Sequence, residues 1–158
     1  MKNLIALLSG LFVSIHLNAA ENLGIPPLPV PSDSPQTAEK IELGRILFND
    51  RRFSADGTIS CASCHHADKA FTDGLAVAKG IGGQSGTRNT PSAVNAAFYT
   101  HLFLDGRAPS LEEQALGPFT NPIEHGLEDH QIILDVIRND PGYQSRFKQA
   151  FGLEANAI

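Results

Sequence analysis

The chain has 158 residues and a net charge of −5, with 42% hydrophobic and 18% charged residues, two cysteines, no tryptophan and one methionine, Met1. That supports one small domain, or a small two-lobed one, and excludes a disordered or collagen-like chain. No basic stripe marks a nucleic-acid binder, and no self-similar period marks a repeat protein.

Residues 1–20 read as a cleaved secretory signal, with Lys2 at the start, a mostly apolar run from Leu4 to Leu17, and small residues at Asn18-Ala19-Ala20. The run falls short of the ~20 residues that cross a bilayer. No membrane span is therefore expected after cleavage, and a periplasmic or secreted location follows. Cleavage also removes the only methionine. Residues 21–34 form a leader rich in proline (Pro26, Pro27, Pro29, Pro31), extended and polyproline-like. Residues 35–158 are assigned to one domain.

Ser34 and Pro35 suit the start of a helix over residues 35–48, with Ile41, Leu43, Leu47 and Phe48 available for burial. Residues 60–66 predict a short helix. Between residues 69 and 91 the glycines at 74, 80, 82, 83 and 86 predict a long loop, of the kind that wraps something or carries function. A single helical turn is expected over 93–98. Ser110-Leu111-Glu112-Glu113 is a capping box, and Gly117-Pro118 is expected to stop the helix it opens. An amphipathic helix follows over 129–138, with Ile132, Ile133, Val136 and Ile137 inward. Asp140-Pro141 opens a last helix through Phe151, closed by Gly152. The fold is expected to be mainly α with long loops.

Cys61-Ala62-Ser63-Cys64-His65 is the strongest chemical signal. On a helix the two thiols and the imidazole fall at i, i+3 and i+4 on one face, so the thiols can bond to haem vinyls while the imidazole reaches the iron. The competing readings are a redox disulfide, a zinc site and a plain structural disulfide. The first needs a βαβ setting that is absent, and the second needs a further ligand pair, for which no cysteine remains. With no methionine left after cleavage, His–Met axial ligation is impossible within the chain. The iron is expected to be bis-His or open on one side. His66 points about 100° away from His65 around a helix and is read as a surface or propionate-side residue. His101, His125 and His130 could reach the iron, but each fits an ordinary loop or surface histidine.

These residues, together with Leu43-Gly44-Arg45-Ile46-Leu47-Phe48, Phe71-Thr72-Asp73-Gly74, Gly86-Thr87-Arg88-Asn89-Thr90-Pro91-Ser92, Asp105-Gly106-Arg107, the run from Leu111 to Pro118 and Asn121-Pro122-Ile123-Glu124, resemble the N-terminal domain of bacterial di-haem cytochrome c peroxidases, including the MauG-type branch. The resemblance implies a c-type cytochrome-like domain whose long loops wrap one covalent haem c. It implies reduction of hydrogen peroxide to water with electrons from a second haem and a small donor cytochrome or cupredoxin. His65 is then the axial ligand, and Gln114 and Glu124 fall on the distal pocket. A carboxylate can shuttle the proton between the peroxide oxygens, and an amide can orient the peroxide. Arg88 and Arg107 are candidates to pair with haem propionates. Asn89 matches one ligand of an interdomain calcium site. The alternative is a non-catalytic mono-haem electron-transfer or sensing cytochrome.

Three departures stand out. The glycine-rich loop, where many members of the family carry a distal histidine, has Ile81 instead, which favours an open five-coordinate haem. Leu104 replaces an aromatic residue before the Asp-Gly-Arg turn. Only one Cys-x-x-Cys-His motif is present in 158 residues, so the chain resembles an isolated N-terminal half, or a fragment of a longer gene product, without the second haem domain.

Overall fold

The computed structural model describes residues 24–154; the signal expected at 1–20 lies outside them. Residues 24–34 are exposed and lack regular structure, as the leader's prolines dictate. Four α-helices follow: α1 (Ala38–Asn49), α2 (Leu111–Thr120), α3 (Gln131–Asn139) and α4 (Pro141–Phe151). Short 3₁₀ turns fill the space between α1 and α2, and the molecule is mainly helical with long loops, as expected.

Helix α1 starts later than the Ser34-Pro35 signal suggested. Thr37 is the cap, its Oγ1 accepting the Lys40 N–H at 3.2 Å. Its buried stripe is Leu43, Ile46 and Leu47, an i, i+3, i+4 set. Ile41 sits two residues before Leu43, about 200° around the helix, and is 59% exposed rather than buried. In α3 the same geometry buries Ile133, Val136 and Ile137 and leaves Ile132 outside. Asp140 caps α4, with Oδ1 accepting from the N–H groups of Gly142 at 2.7 Å and Tyr143 at 3.2 Å. Gly152 ends it in the left-handed region at φ 69°.

Helix α2 begins where the capping signal put it, with Ser110 Oγ accepting the Glu113 N–H at 3.2 Å. It does not stop at Gly117-Pro118 but runs on to Thr120. An interior proline ordinarily costs about 3 kcal/mol. Tertiary contacts outweigh it here. Phe119 packs edge-to-face on Phe53, 6.2 Å between ring centroids, and the Pro118 and Phe119 carbonyls accept from the N–H groups of His125 and Leu127.

The core lies between α1, α3 and α4 and is built on Leu43, Phe53, Ile137, Tyr143 and Ala150. On the other side the chain forms three small loops, each closed by an isolated antiparallel bridge: His66 with Thr72, Lys79 with Ser85, and Leu102 with Ala108. The first two of these loops border the cysteine motif, through the Phe71 and Lys79 carbonyls, and α1 packs on its other flank, with the Phe48 and His65 ring centroids 6.2 Å apart. No helix among the described residues is long and apolar enough to cross a membrane.

Candidate haem-binding site

The cysteine motif opens in a 3₁₀ turn at Cys61–Ser63, shorter than the helix expected over 60–66. One α-type bond follows, from the His65 N–H to the Cys61 carbonyl at 2.9 Å. That is enough to place Cys61, Cys64 and His65 on one side of the turn. Both thiols are free and half-buried. Burial pushes the Cys61 thiol up to about 11, with the neighbouring Cys64 and the Glu124 carboxylate adding to it. Burial also raises Cys64, helped by Asp73 and Glu124. Redox-active Cys-x-x-Cys pairs work with lowered thiol pKa values, so this environment disfavours the redox-disulfide reading.

His65 donates its Nδ1–H to the Phe71 carbonyl at 2.8 Å. A carbonyl only accepts, so the proton is on Nδ1 and Nε2 keeps its lone pair for a metal. The carbonyl is aimed by an unusual backbone: Ala70 and Phe71 are both left-handed, at φ 53° and 56°, without being glycine. The strain is held by Ser92 Oγ, which donates to the Ala70 carbonyl at 2.6 Å, and by the Ala93 N–H on the Phe71 carbonyl at 3.2 Å. Below them Asp73 is buried, accepting from Thr90 Oγ1 at 3.0 Å and from the Leu75 N–H at 3.0 Å. Sequence reasoning missed both the Phe71 carbonyl and Asp73. Only the Phe71-Thr72-Asp73-Gly74 run hinted at them.

Glu124 sits at the end of the turn after α2, half-buried, its Oε1 accepting from Asn121 Nδ2 at 2.7 Å. The Cys64 thiol lies 3.6 Å from the Lys79 carbonyl, at the head of the glycine-rich loop, which links the cysteine motif to this turn. The glycine-rich loop is docked on the same turn. The Ile81 N–H is shared between the carbonyls of Ile123 and Glu124, both at 3.0 Å. Ile81 therefore lies beside Glu124, and its side chain offers no ligand to a metal. Gln114 is half-buried in the first half of α2.

Arg88 and Arg107 converge on one carboxylate, Asp105, at 3.1 and 2.8 Å. Arg107 also stacks over the Phe103 ring, 3.4 Å from its centroid. The Arg107 and Arg88 guanidiniums hold the Asp105 carboxyl below its ordinary range. Asn89 Nδ2 donates to the Thr90 carbonyl at 3.4 Å. Among the described residues no group of three or more His, Cys, Asp or Glu side chains is placed to hold a metal ion.

A sequence model of di-haem cytochrome c peroxidases matches residues 38–158. The chain belongs to the di-haem cytochrome c peroxidase family. It is 39% identical over 151 residues to the cytochrome c551 peroxidase of Nitrosomonas europaea, covering 96% of this chain and 44% of that protein. It is 41% identical over 127 residues to the methylamine utilization protein MauG of Methylorubrum extorquens, covering 80% of this chain and 36% of that one. The crystal structure of a MauG-like protein associated with microbial copper homeostasis superposes with a TM-score of 0.76 at 39% identity, over 85% of this chain and 40% of that one. The chain thus spans less than half the length of these family members.

The residues fit the haem c that the family name implies. Two reduced thiols and an imidazole with its Nε2 lone pair available share one face. Among the described residues, the apolar side chains Phe71, Leu75 and Val94 of the surrounding loops are exposed. The other histidines are differently engaged. His125 is no surface loop residue: it is 4% exposed, its Nδ1 donates to the Phe53 carbonyl at 2.7 Å, and its ring packs on Phe119. His130 places Nε2 at 3.0 Å from the Leu116 carbonyl. His101 is exposed. What weighs against His125 as a second ligand is its burial against Phe119 and the Phe53 main chain, since a carbonyl on one ring nitrogen leaves the other nitrogen free.

Proposed function

We propose that this chain carries the peroxidatic haem c of a periplasmic peroxidase and reduces hydrogen peroxide to water. Residues 1–20 are its export signal, 21–34 a leader and 35–158 its haem domain. The electrons come from a small c-type cytochrome or cupredoxin and reach this domain through a second haem. The observation that supports this most is the pairing of the cysteine turn with a carboxylate: the glycine-rich loop meets the Cys64 thiol through the Lys79 carbonyl at 3.6 Å and docks through the Ile81 N–H on the Glu124 turn, and Ile81 itself offers no ligand to a metal.

When bound, the haem would supply a redox-active metal and a path for the two electrons that reduce peroxide. The chain's own residues do the remaining work. Cys61 and Cys64 form the thioether links. His65, its tautomer fixed by Phe71, ligates the metal. Glu124 takes the proton from the inner peroxide oxygen and returns it to the outer one, which leaves as water. Gln114 orients the peroxide through its amide. Arg88 and Arg107 pair with haem propionates, and Asn89 offers one oxygen to a calcium ion.

Two measurements test the proposal. Electron paramagnetic resonance of the mature ferric protein should give a high-spin signal. A low-spin signal would mean a second strong ligand and would favour an electron-transfer cytochrome. Stopped-flow mixing of Glu124→Gln with peroxide should show a reaction slower by about 10²–10⁴-fold, with the covalent haem mass intact. An unchanged rate removes Glu124 from the chemistry.

A further inference from the structure

Asn121 closes α2 and opens the turn that ends in Glu124, and its carboxamide is used at both ends. Oδ1 accepts the Ile123 N–H at 3.0 Å, and Nδ2 donates to Glu124 Oε1 at 2.7 Å. Its main-chain carbonyl accepts from the N–H groups of Glu124 at 3.1 Å and Gly126 at 2.9 Å. One residue therefore fixes both the path of the turn and the direction of the carboxylate at its end. The turn is braced from the far side as well. Gln84 Nε2 donates to the Pro122 carbonyl at 3.3 Å, and the Ile81 N–H holds the Ile123 and Glu124 carbonyls. A glutamate on an untethered loop spreads over several rotamers, whereas proton transfer needs one of them.

We infer that Asn121 is a positioning residue that holds the Glu124 carboxylate in the orientation proton transfer uses. The inference rests on the reading of Glu124 given above, and it adds that the reading depends on a neutral side chain three residues away. The 2.7 Å contact is at the short end for an N–H to oxygen bond. Asn121 acts only through Glu124, so its effect must vanish when Glu124 can no longer carry a proton.

Asn121→Asp separates the two jobs of the carboxamide. It keeps an oxygen to accept the Ile123 N–H and replaces the donor with a second oxygen, so the turn survives and the clamp is lost. In the haem-loaded mature protein the peroxide reaction should slow by about 10- to 100-fold, the usual scale for losing a group that orients a working side chain. In the Glu124→Gln background the same change should add less than about twofold. A second readout needs no Asn121 variant and no turnover. In the diamagnetic ferrous carbonyl form, the Asn121 carboxamide ¹H–¹⁵N signals should move, and exchange faster with water, when Glu124 is replaced by Ala.

A wild-type peroxide rate in Asn121→Asp, an equal cost in both backgrounds, or a carboxamide signal blind to Glu124 overturns the inference. If Glu124→Gln slows the reaction while Asn121→Asp does not, only this inference falls. If Glu124→Gln leaves the rate unchanged, the proton-transfer reading falls and this one with it.

Discussion

A β-carbon built on Gly80 would lie 1.8 Å from the Ile123 carbonyl oxygen. The backbone angles there, φ −109° and ψ −152°, are open to any residue, so the requirement is for space rather than for a special conformation. Gly80→Ala must push the Ile123–Glu124 turn away, at a cost of about 1–3 kcal/mol. Thermal melting of that variant should show the loss, and the peroxide rate should fall with it because the displaced turn carries Glu124. His125 gives a second prediction at this scale. Burial holds its pKa below the ordinary 6.5, outweighing the Phe53 carbonyl and the neighbouring Glu124. The unfolded chain therefore binds a proton before the folded one does. Stability is fully present above pH 6.5 and declines as pH falls toward the lowered folded value. His125→Asn should flatten the pH dependence of Tm in that window; a slope unchanged from the parent would assign it to other groups. The sequence offered His125 as a loop or surface histidine; it is on a loop and buried. Nothing local to it announces the Phe53 carbonyl and the Phe119 ring that enclose it.

At the scale of elements, α1 and α4 are tied end to start by a polar network over the core. The Tyr143 hydroxyl donates to Asp50 Oδ2 at 2.7 Å, and Arg52 joins Asp50 to Asp140, the cap of α4, at 2.6 and 2.8 Å. Burial and the Asp50 carboxylate push the Tyr143 hydroxyl above its ordinary range. For Asp50 burial acts upward, but the hydrogen bonds from Arg52 and Tyr143 win and hold its pKa below 3.8. Its contribution is therefore present above that value and lost as pH falls through the lower folded one. Tyr143→Phe should cost about 1.5–3 kcal/mol by denaturant titration at pH 7, and the variant should lose less stability than the parent on acidification below pH 4. Much of this element scale was legible. The Ser110 and Asp140 caps and the closing Gly152 are local signals, and each sits where sequence placed it, while α3 keeps its period but starts at Gln131 and leaves Ile132, expected inward, outside. The run of α2 through Gly117-Pro118 was not legible, because the local cost of proline is offset by Phe119 reaching a core made of distant residues.

The whole molecule is divided between a helical core and a loop-built half. The core holds Leu43, Phe53, Ile137, Tyr143 and Ala150, and Leu43→Ala should remove about 2–5 kcal/mol of its stability. The loop half has isolated bridges in place of sheets and helices, and it leaves Phe71, Leu75 and Val94 exposed. A haem seated there would stabilise the folded chain by covering these side chains and by the His65 bond, both made only in the folded state. Cys61→Ser combined with Cys64→Ser should therefore lower Tm and speed hydrogen exchange across residues 66–108, while the amides of Leu43 and Ile137 stay protected. Uniform loss of protection would show instead that both halves fold as one unit. At this scale the cysteine motif was the clearest message in the sequence. Its surroundings were not: the Phe71 carbonyl and the Asn121 clamp are main-chain and amide contacts set by how loops pack, and residue types alone do not encode them.

Asp105 has an electrical consequence. Two guanidiniums share its single carboxylate, so the Arg88–Asp105–Arg107 cluster carries one surplus positive charge. It can neutralise one further anion and no more, and a second would have to compete with Asp105 itself. Because all three side chains are well exposed, this balance is open to the surrounding electrolyte. Asp105→Asn would double the surplus, and the affinity of this edge for a small dianion should then rise most steeply in dilute buffer and fade as salt is added.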